Sequence, residues 1–230
     1  MANVDIREFF KKYPRFYYLV ANVLGPVWWS GVSSKAYLKT VAGQGRILNL
    51  GSGPKILGDA RVINVDLFDY PGVDIVASID QVPLPDASID GIVIDNVMEH
   101  VREPKAVVKE MSRLLKSGGT VYIATPFMYP FHSSPADYSR WTLPGLESLI
   151  GDDFENIKSG VRCGPISALT SFLAHFFATL LSFGNHSLRH ALFNVCMLPF
   201  VPLKVLDAIF AHVPGAEEMA AVLYVVARKK

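Results

Sequence analysis

Short apolar runs alternate with polar connectors through the middle of the chain. The runs are 46–50 (RILNL), 62–66 (VINVD), 73–79 (VDIVASI), 89–95 (IDGIVID), 120–127 (TVYIATPF) and 220–229 (AAVLYVVARK). Runs that are apolar almost throughout are typical of strands buried on both faces, and they indicate an α/β fold with a parallel sheet. Residues 103–115 carry apolar positions three and four apart, which predicts a helix that ends at the glycine turn 117–119.

A different pattern follows between Gly164 and Pro214. The stretch 165–183 contains no Asp, Glu, Lys or Arg, and its length is near the lower limit of about 17–20 apolar residues that cross a bilayer. The second half is interrupted by Pro199 and Pro202 and is therefore a poor spanning helix. Because the run at 220–229 must return to the sheet, we expect an apolar helical hairpin with both ends on one side.

The first residues of the chain are rich in aromatic side chains. Residues 4–30 predict one or two short helices, broken at Pro14 and at Gly25-Pro26, and Lys11, Lys12 and Arg15 lie among the rings. Either this segment and the hairpin pack together as a cap over a substrate pocket, or the same cap presents its apolar face to a membrane. We favour attachment to a membrane surface, on the cytoplasmic side, over a fully soluble cap.

Composition narrows the choice of partners. Lys and Arg (22) nearly balance Asp and Glu (21), so no broad basic face is available for nucleic acid. Half of the residues are hydrophobic and 19% are charged, and the hairpin accounts for much of this excess. The two cysteines lack the spacing of metal ligands, and so do the histidines of the hairpin. The sequence therefore predicts no metal site. Its patterns divide the chain into four segments: an aromatic N-terminal segment (1–45), the core that forms the sheet (46–163), the apolar hairpin (164–214), and the last strand with its basic tail (215–230).

The strand that ends at Leu50 is followed by Gly51-Ser52-Gly53, and the next strand ends at Asp66. Ligands bind parallel sheets at the carboxyl ends of the strands, where glycines allow the backbone to approach closely. A dinucleotide site also needs a third glycine and a long helix for the pyrophosphate. The third glycine is missing here, and the first crossover is too short for that helix. S-adenosylmethionine fits, because it has a ribose diol for a carboxylate to bind and no phosphate.

Four motifs carry a resemblance to a known family. "ILNLGSGP", "VDLFDYPGVDIVASIDQVPLPDASIDGIVIDNVMEHV", "EMSRLLKSGGTVYIATPF" and "YPFHSSPADYSRWT" resemble, in order and spacing, the class I S-adenosylmethionine-dependent methyltransferases of type 11. The resemblance implies a Rossmann-like sheet with an antiparallel last strand. It also implies an association with bacterial surface-glycan pathways. The residues that it assigns to the cofactor are Asn49, Gly51, Ser52, Gly53, Asp66, Leu67, Ser78, Ile79, Asp80, Asp95 and Asn96.

Some of these assignments leave alternatives open. The family often has an acid just after the third strand, near the adenine, where this chain has Ser78. Ser78 and the backbone of Ile79 can serve instead, or Asp80 can reach the adenine. The pair Glu99-His100 matches the family's Glu-His pair, to which we assign a mostly structural role at the start of the next helix.

The segment 126–142 follows the fifth predicted strand and opens over the edge where an acceptor must lie. His132 is a candidate base, Asp137 either orients it or is itself the base, and Arg140 is a candidate clamp for an anionic acceptor. The alternative is that these residues only fix the loop. We expect methyl transfer to a small-molecule or lipid-linked acceptor, on a hydroxyl oxygen. The rival hypotheses are a cofactor-binding scaffold without turnover and an NAD-dependent enzyme.

Overall fold

The computed structural model describes residues 28, 30–41, 45–54, 57–132 and 136–230. Within them, the strands form one seven-stranded sheet in the order β3-β2-β1-β4-β5-β7-β6. Strands β1 to β5 are parallel, and β7 lies antiparallel between β5 and β6. This is the predicted Rossmann-like sheet with an antiparallel last strand.

The sheet and the helices around it have the following bounds. The strands are β1 Ile47–Leu50, β2 Val62–Asp66, β3 Ile75–Val76, β4 Ile89–Asp95, β5 Leu115–Pro126, β6 Phe154–Cys163 and β7 Val222–Lys229. The helices are α1 Ser34–Leu38, α2 Pro104–Leu114, α3 Leu143–Ile150, α4 Pro165–Leu181, α5 His186–Met197 and α6 Asp207–Phe210. Short 3-10 turns cover Met98–His100, Leu198–Phe200, Leu203–Leu206 and Ala216–Glu218.

Helices cover both faces of the sheet. On one face, α2 and α3 bury Val107, Met111, Leu114, Leu146 and Ile150 against the strands. On the other face, α1 packs against the middle of the sheet through stacked tyrosine rings. Tyr37 lies 5.7 Å from Tyr122, and its hydroxyl donates to the carbonyl of Thr120 at 2.8 Å. The sheet edge that carries the predicted site is thereby held in a rigid frame.

Several elements differ from the sequence prediction. The third strand pairs over only two residues rather than across 73–79, because the segment around it is largely solvated. The chain passes from α2 directly into β5 at Leu115, five residues before the strand predicted at 120. Strand β6 and helices α1 and α3 were not predicted. Glu99 and His100 lie in a 3-10 turn and do not begin α2, which starts at Pro104.

The first crossover is short, as predicted. Only residues 51–61 separate β1 from β2, and the described part of this connection contains no helix. The helices predicted within 4–30 lie almost entirely outside the described residues. Trp28 marks where the described chain begins, and its backbone N–H donates to the hydroxyl of Ser167 on α4 at 2.9 Å.

The apolar stretch forms a pair of packed helices, α4 and α5, joined by the turn 182–185. Asp207 on α6 is fully buried, and its carboxylate accepts the N–H groups of Ile166 and Ser167 at 2.9 and 2.8 Å. In the described part of the chain, no single helix is long and apolar enough to cross a bilayer. The two pieces His186–Phe200 and Leu203–Phe210, bent by 58°, pass together by length and composition alone.

Candidate active site

The glycine turn lies where β1 ends. Gly51 and Gly53 adopt left-handed conformations with φ of 67° and 54°, which favour glycine. The N–H groups of Gly51 and Ser52 donate to the carbonyl of Val65, at 2.8 and 3.1 Å, and so tie the turn to β2. A Cβ atom on Gly51 would lie 2.6 Å from the methyl groups of Val97, whereas one on Gly53 would meet none of the described atoms within 4 Å.

Asp66 ends β2 beside this turn and is 8% exposed. Its Oδ2 accepts the N–H of Gly53 at 2.7 Å, and its Oδ1 accepts the N–H of Phe68 at 3.0 Å. Each carboxylate oxygen has a second lone pair, so this group retains acceptor capacity for a diol. The open space beside Gly53 and the aspartate together fit the ribose end of S-adenosylmethionine.

Asn49 lies one strand position below the turn and is buried. Its amide donates to the side-chain oxygen of Asn64 on β2 at 3.0 Å, and the backbone N–H of Asn64 donates to Asp74 at 2.7 Å. This chain of bonds joins β1, β2 and the loop before β3. The contacts of Asn49 support the turn; its predicted role in cofactor binding stays a prediction.

The residues predicted near the adenine follow β2 and β3. Leu67 is 59% exposed next to Asp66, which leaves an apolar surface beside the ribose position. The Ser78 hydroxyl donates to the Asp80 carboxylate, and Ile79 packs between them against the core. Ser78 and Asp80 are therefore hydrogen-bonded to each other. The structure does not distinguish between the two residues as the adenine contact, and both stay predictions.

Asp95 is the last residue of β4 and Asn96 follows it, next to the end of β1 where the glycine turn begins. The hydroxyl of Ser34, on α1, donates to Asp95 Oδ2 at 3.0 Å, and the Asn96 side chain donates to Asp95 Oδ1 at 3.0 Å. Asn96 adopts φ of 58° and donates its N–H to the carbonyl of Ala124. Such a conformation in a residue other than glycine is uncommon and concentrates at functional sites. Ser34 was missed because five residues of α1 give too little periodicity.

The loop after β5 brings His132, Asp137 and Arg140 together, as the sequence predicts. Asp137 Oδ2 accepts Arg140 Nη2 at 2.6 Å and the backbone N–H of His132 at 2.8 Å, and Oδ1 pairs with Nη1. Burial opposes ionisation of Asp137, yet the hydrogen bonds from Arg140 and His132 hold the pKa of this carboxyl below its ordinary value. Arg140 is thus paired with Asp137, and its predicted role as a clamp for an anionic acceptor stays a prediction.

His132 extends from this clamped loop towards the 3-10 turn after β4. Its Nε2 lies 3.5 Å from Oε1 of Glu99, and Nε2 of His100 lies 3.6 Å from the same oxygen. Glu99 is 0% exposed. The sequence contains a signal for this contact. Glu99 follows β4 and His132 follows β5, and successive parallel strands are often neighbours in a sheet, so the residues after their carboxyl ends lie close together.

A shallow groove of about 250 Å³ opens on the outer side of the same loop. Aromatic rings and polar groups both line it; the lining residues are Tyr129, Phe131, Asp137, Tyr138, Ser139 and Arg140. The groove and the crevice at Asp66 both lie at the carboxyl edge of the sheet. The groove is therefore a candidate surface for an acceptor, separate from the residues predicted to bind the cofactor.

Comparison with known proteins shows that the part of the chain that forms this edge of the sheet is similar to known methyltransferases. Residues 41–123 match the methyltransferase domain family. A protein of Mycolicibacterium smegmatis, named a probable S-adenosylmethionine-dependent methyltransferase, is 35% identical over 88 residues, which are 33% of this chain and 34% of that protein. The chain spans about a third or less of the length of the curated relatives that it matches.

Solved structures extend the likeness in fold to nearly the whole chain. Burkholderia thailandensis 1,6-didemethyltoxoflavin-N1-methyltransferase, solved with its acceptor and S-adenosylhomocysteine, superposes with a TM-score of 0.56 at 14% identity. That match covers 98% of this chain and 87% of the other. Haemonchus contortus phosphoethanolamine N-methyltransferase 2 gives a TM-score of 0.51 at 16% identity, with coverage of 98% and 60%.

The glycine turn, Asp66 and the parallel strands β1, β2 and β4 all lie within the matched range. The geometry of the crevice and the family match thus agree on the same ligand. Residues 41–123 therefore resemble a methyltransferase domain of the S-adenosylmethionine-dependent class, and the chain has the fold of the class I methyltransferases.

Proposed function

We propose that this chain is an S-adenosylmethionine-dependent methyltransferase that methylates a hydroxyl oxygen of a small-molecule or lipid-linked glycan acceptor. The observation that carries the proposal is the Gly51–Gly53 turn closed against Asp66 at the carboxyl edge of a class I sheet. S-adenosylmethionine supplies a methyl group on a positively charged sulfur, so the protein's task is to position the acceptor and exclude water.

The chain's own residues divide this task. Asp66 and the turn hold the cofactor, and Asp95 with Asn96 flanks its reactive end. His132 is the group of the loop that handles the acceptor, since 34% of its side chain is exposed. Asp137 and Arg140 are positioning residues, because they form an ion pair with each other and Asp137 accepts the backbone N–H of His132. Aromatic rings in the adjoining groove suit the faces of sugar rings.

Replacing Asp66 by Ala should weaken S-adenosylmethionine binding about 5- to 150-fold, which corresponds to the roughly 1–3 kcal/mol cost of leaving polar groups unpaired. Isothermal titration of the wild-type chain and the variant measures this change. Asp152→Ala, which removes an exposed carboxylate from the turn before β6, is the control and should bind as the wild type does. Equal affinity of all three proteins would place the ribose elsewhere, and no heat from the wild type at millimolar ligand would end the proposal.

Turnover is tested separately from binding. The wild-type chain is incubated with a labelled methyl donor and with lipid or polysaccharide fractions, and the product is identified by mass spectrometry. Label on an oxygen of a glycan or small molecule supports the proposal. Cofactor binding without label in any fraction would favour the catalytically inactive scaffold instead.

We also infer that the helical hairpin attaches the chain to a membrane surface. The stripe on α4 formed by Leu169, Phe172, Phe176 and Leu180, continued by Phe183, is 43–92% exposed. The opposite face of α4 buries small residues against the protein; these are Ser167, Ala168, Thr170, Ser171, Ala174 and Ala178. Small residues inward and large apolar residues outward reverse the usual pattern of a helix packed on a soluble domain.

A lipid surface is the occupant that this stripe fits best, because rings and leucines at a spacing of three and four residues suit insertion into the acyl boundary. The wild-type chain should sediment with vesicles of phosphatidylcholine and phosphatidylglycerol, and Phe176→Ser with Leu180→Ser should release it. The control is Ile157→Ser with Met219→Ser, which removes two other exposed apolar side chains. A wild-type chain that stays monomeric in the supernatant would overturn this inference and favour the packed cap.

A further inference from the structure

Glu99 is a buried carboxylate that lacks the partners such a group needs. It is 0% exposed, and neither Oε1 nor Oε2 accepts a hydrogen bond from any described residue. Transfer of an ionised carboxylate from water to a protein interior is costly unless the charge is paired or bound to a metal. The position of Glu99 therefore requires a cationic partner.

Two imidazole nitrogens face this carboxylate. His100 Nε2 and His132 Nε2 lie 3.6 and 3.5 Å from Glu99 Oε1, and the three donor atoms are all within 4.8 Å of one another. These separations are too long for hydrogen bonds. Neighbouring ligands of a tetrahedral zinc ion, with bonds of about 2.0–2.1 Å, lie about 3.4 Å apart. The two distances from Glu99 Oε1 are close to this value, and the two imidazole nitrogens lie within 4.8 Å of each other, so one ion can contact all three groups after a small adjustment of the rings.

The far sides of both rings are already engaged. His100 Nδ1 contacts the carbonyl of Ala136, which accepts an N–H and so fixes the tautomer with a free lone pair on Nε2. His132 Nδ1 lies 3.4 Å from the carbonyl of Pro130 and 3.5 Å from Asp137 Oδ2. Arg140 also approaches this nitrogen, at 3.4 Å, but its charge is paired with Asp137. Carbonyl and carboxylate partners of this kind are typical behind metal-binding histidines.

We propose that Glu99, His100 and His132 bind one divalent transition-metal ion of the zinc type, with a fourth position left open. Two histidines and a glutamate with an open position are the ligand set of catalytic rather than structural zinc sites. The role of the ion rests on the proposed function. A hydroxyl of the acceptor in the open position would release its proton to solvent more readily, because the ion stabilises the alkoxide.

The location of the cluster agrees with this role. The 3-10 turn that carries Glu99 and His100 begins just after Val97, whose methyl groups lie over Gly51 of the cofactor turn. His132 belongs to the loop that forms the groove proposed for the acceptor. An ion held here would lie at the same edge of the sheet as the cofactor turn and the loop that forms the groove.

The test uses the full-length chain, stripped with a chelator and then dialysed against Zn²⁺ or Co²⁺. Elemental analysis should find about one ion per chain, and bound Co²⁺ should give the visible absorption of a tetrahedral site. Glu99→Gln and His132→Ala should each weaken binding at least 100-fold. Asp137→Asn, which alters the carboxylate behind His132 and its ion pair with Arg140, should weaken it about 10- to 100-fold. His212→Ala removes an exposed histidine elsewhere and should bind as the wild type does.

Circular dichroism checks that each variant folds, and His132→Ala is the reserve should Glu99→Gln fail to fold, because His132 is partly exposed. Uptake by the wild type that exceeds both ligand variants supports the site. Equal uptake by wild type and variants would overturn it, and so would no uptake; Glu99 would then pair with an imidazolium. A wild-type chain that binds S-adenosylmethionine but no metal would overturn this inference alone and leave the proposed function intact.

Discussion

Replacing Asp207 by Ala should lower the free energy of unfolding by about 3 kcal/mol. Helix α4 begins at Gly164-Pro165 and has no side-chain cap of its own. The carboxylate of Asp207 supplies one from α6 by accepting the N–H groups of Ile166 and Ser167. Its removal leaves one buried and one partly buried donor unpaired, at about 1–3 kcal/mol for a fully buried one, and removes a negative charge from the positive end of the helix.

Thermal unfolding measures this loss, which corresponds to a fall in Tm of about 6–12 °C for a chain of this size. Asn185→Ala is the matched control, because Asn185 caps α5 through a single exposed bond to the Leu188 N–H and should cost about 1 kcal/mol. Asp207→Asn keeps an acceptor oxygen and should fall between the two. A loss for Asp207→Ala no larger than that of Asn185→Ala would contradict the assigned role.

Gly51→Ala should abolish measurable binding of S-adenosylmethionine and lower the free energy of unfolding by about 2–6 kcal/mol. The new Cβ atom would lie 2.6 Å from the methyl groups of Val97, in a backbone conformation with φ of 67°. The strained backbone costs about 1–3 kcal/mol, and the overpacking costs a similar amount. To relieve the contact, the turn or the Val97 side chain must shift, which disturbs the turn that Asp66 holds.

Gly151→Ala separates the two costs. Gly151 has φ of 69°, but a Cβ atom there would meet no described atom within 4 Å. It should therefore show the backbone cost alone, with cofactor binding intact. Val97→Ala in the Gly51→Ala background should restore part of the affinity, because it removes the contacted methyl groups. Wild-type affinity in Gly51→Ala, measured by titration, would mean that this turn does not shape the crevice.

The sequence predicts the central sheet well because its strands are buried on both faces. Strands β1, β2 and β4 lie within a residue of their predicted positions, since continuous apolar runs leave little choice of register. Strand β6 was missed for the opposite reason. It forms an edge of the sheet, and most of Phe154–Cys163 is exposed or half-buried, so its sequence lacks the apolar pattern that identifies inner strands.

The sequence likewise predicts one part of the candidate site and not another. The glycine turn, Asp66 and the loop with His132 follow from motifs that are local in the chain. The burial of Glu99 does not, because it depends on how the turn after β4 meets the loop after β5. The pairing of Asp137 with Arg140 was open to two interpretations in the sequence. The distances show that these two charges neutralise each other.

The two ends of the hairpin region meet in space. The carbonyl of Gly164 accepts the N–H of Ala221 at 3.3 Å, so the chain leaves the sheet and returns to it at almost the same point. A Cβ atom on Gly164 would lie 2.3 Å from the Asp207 carboxylate, so only glycine allows this junction. The segment between these two residues is therefore an insertion whose ends are closed by a hydrogen bond. We expect that its length and surface can be changed, for example by grafting another segment, without a change in the spacing of β6 and β7.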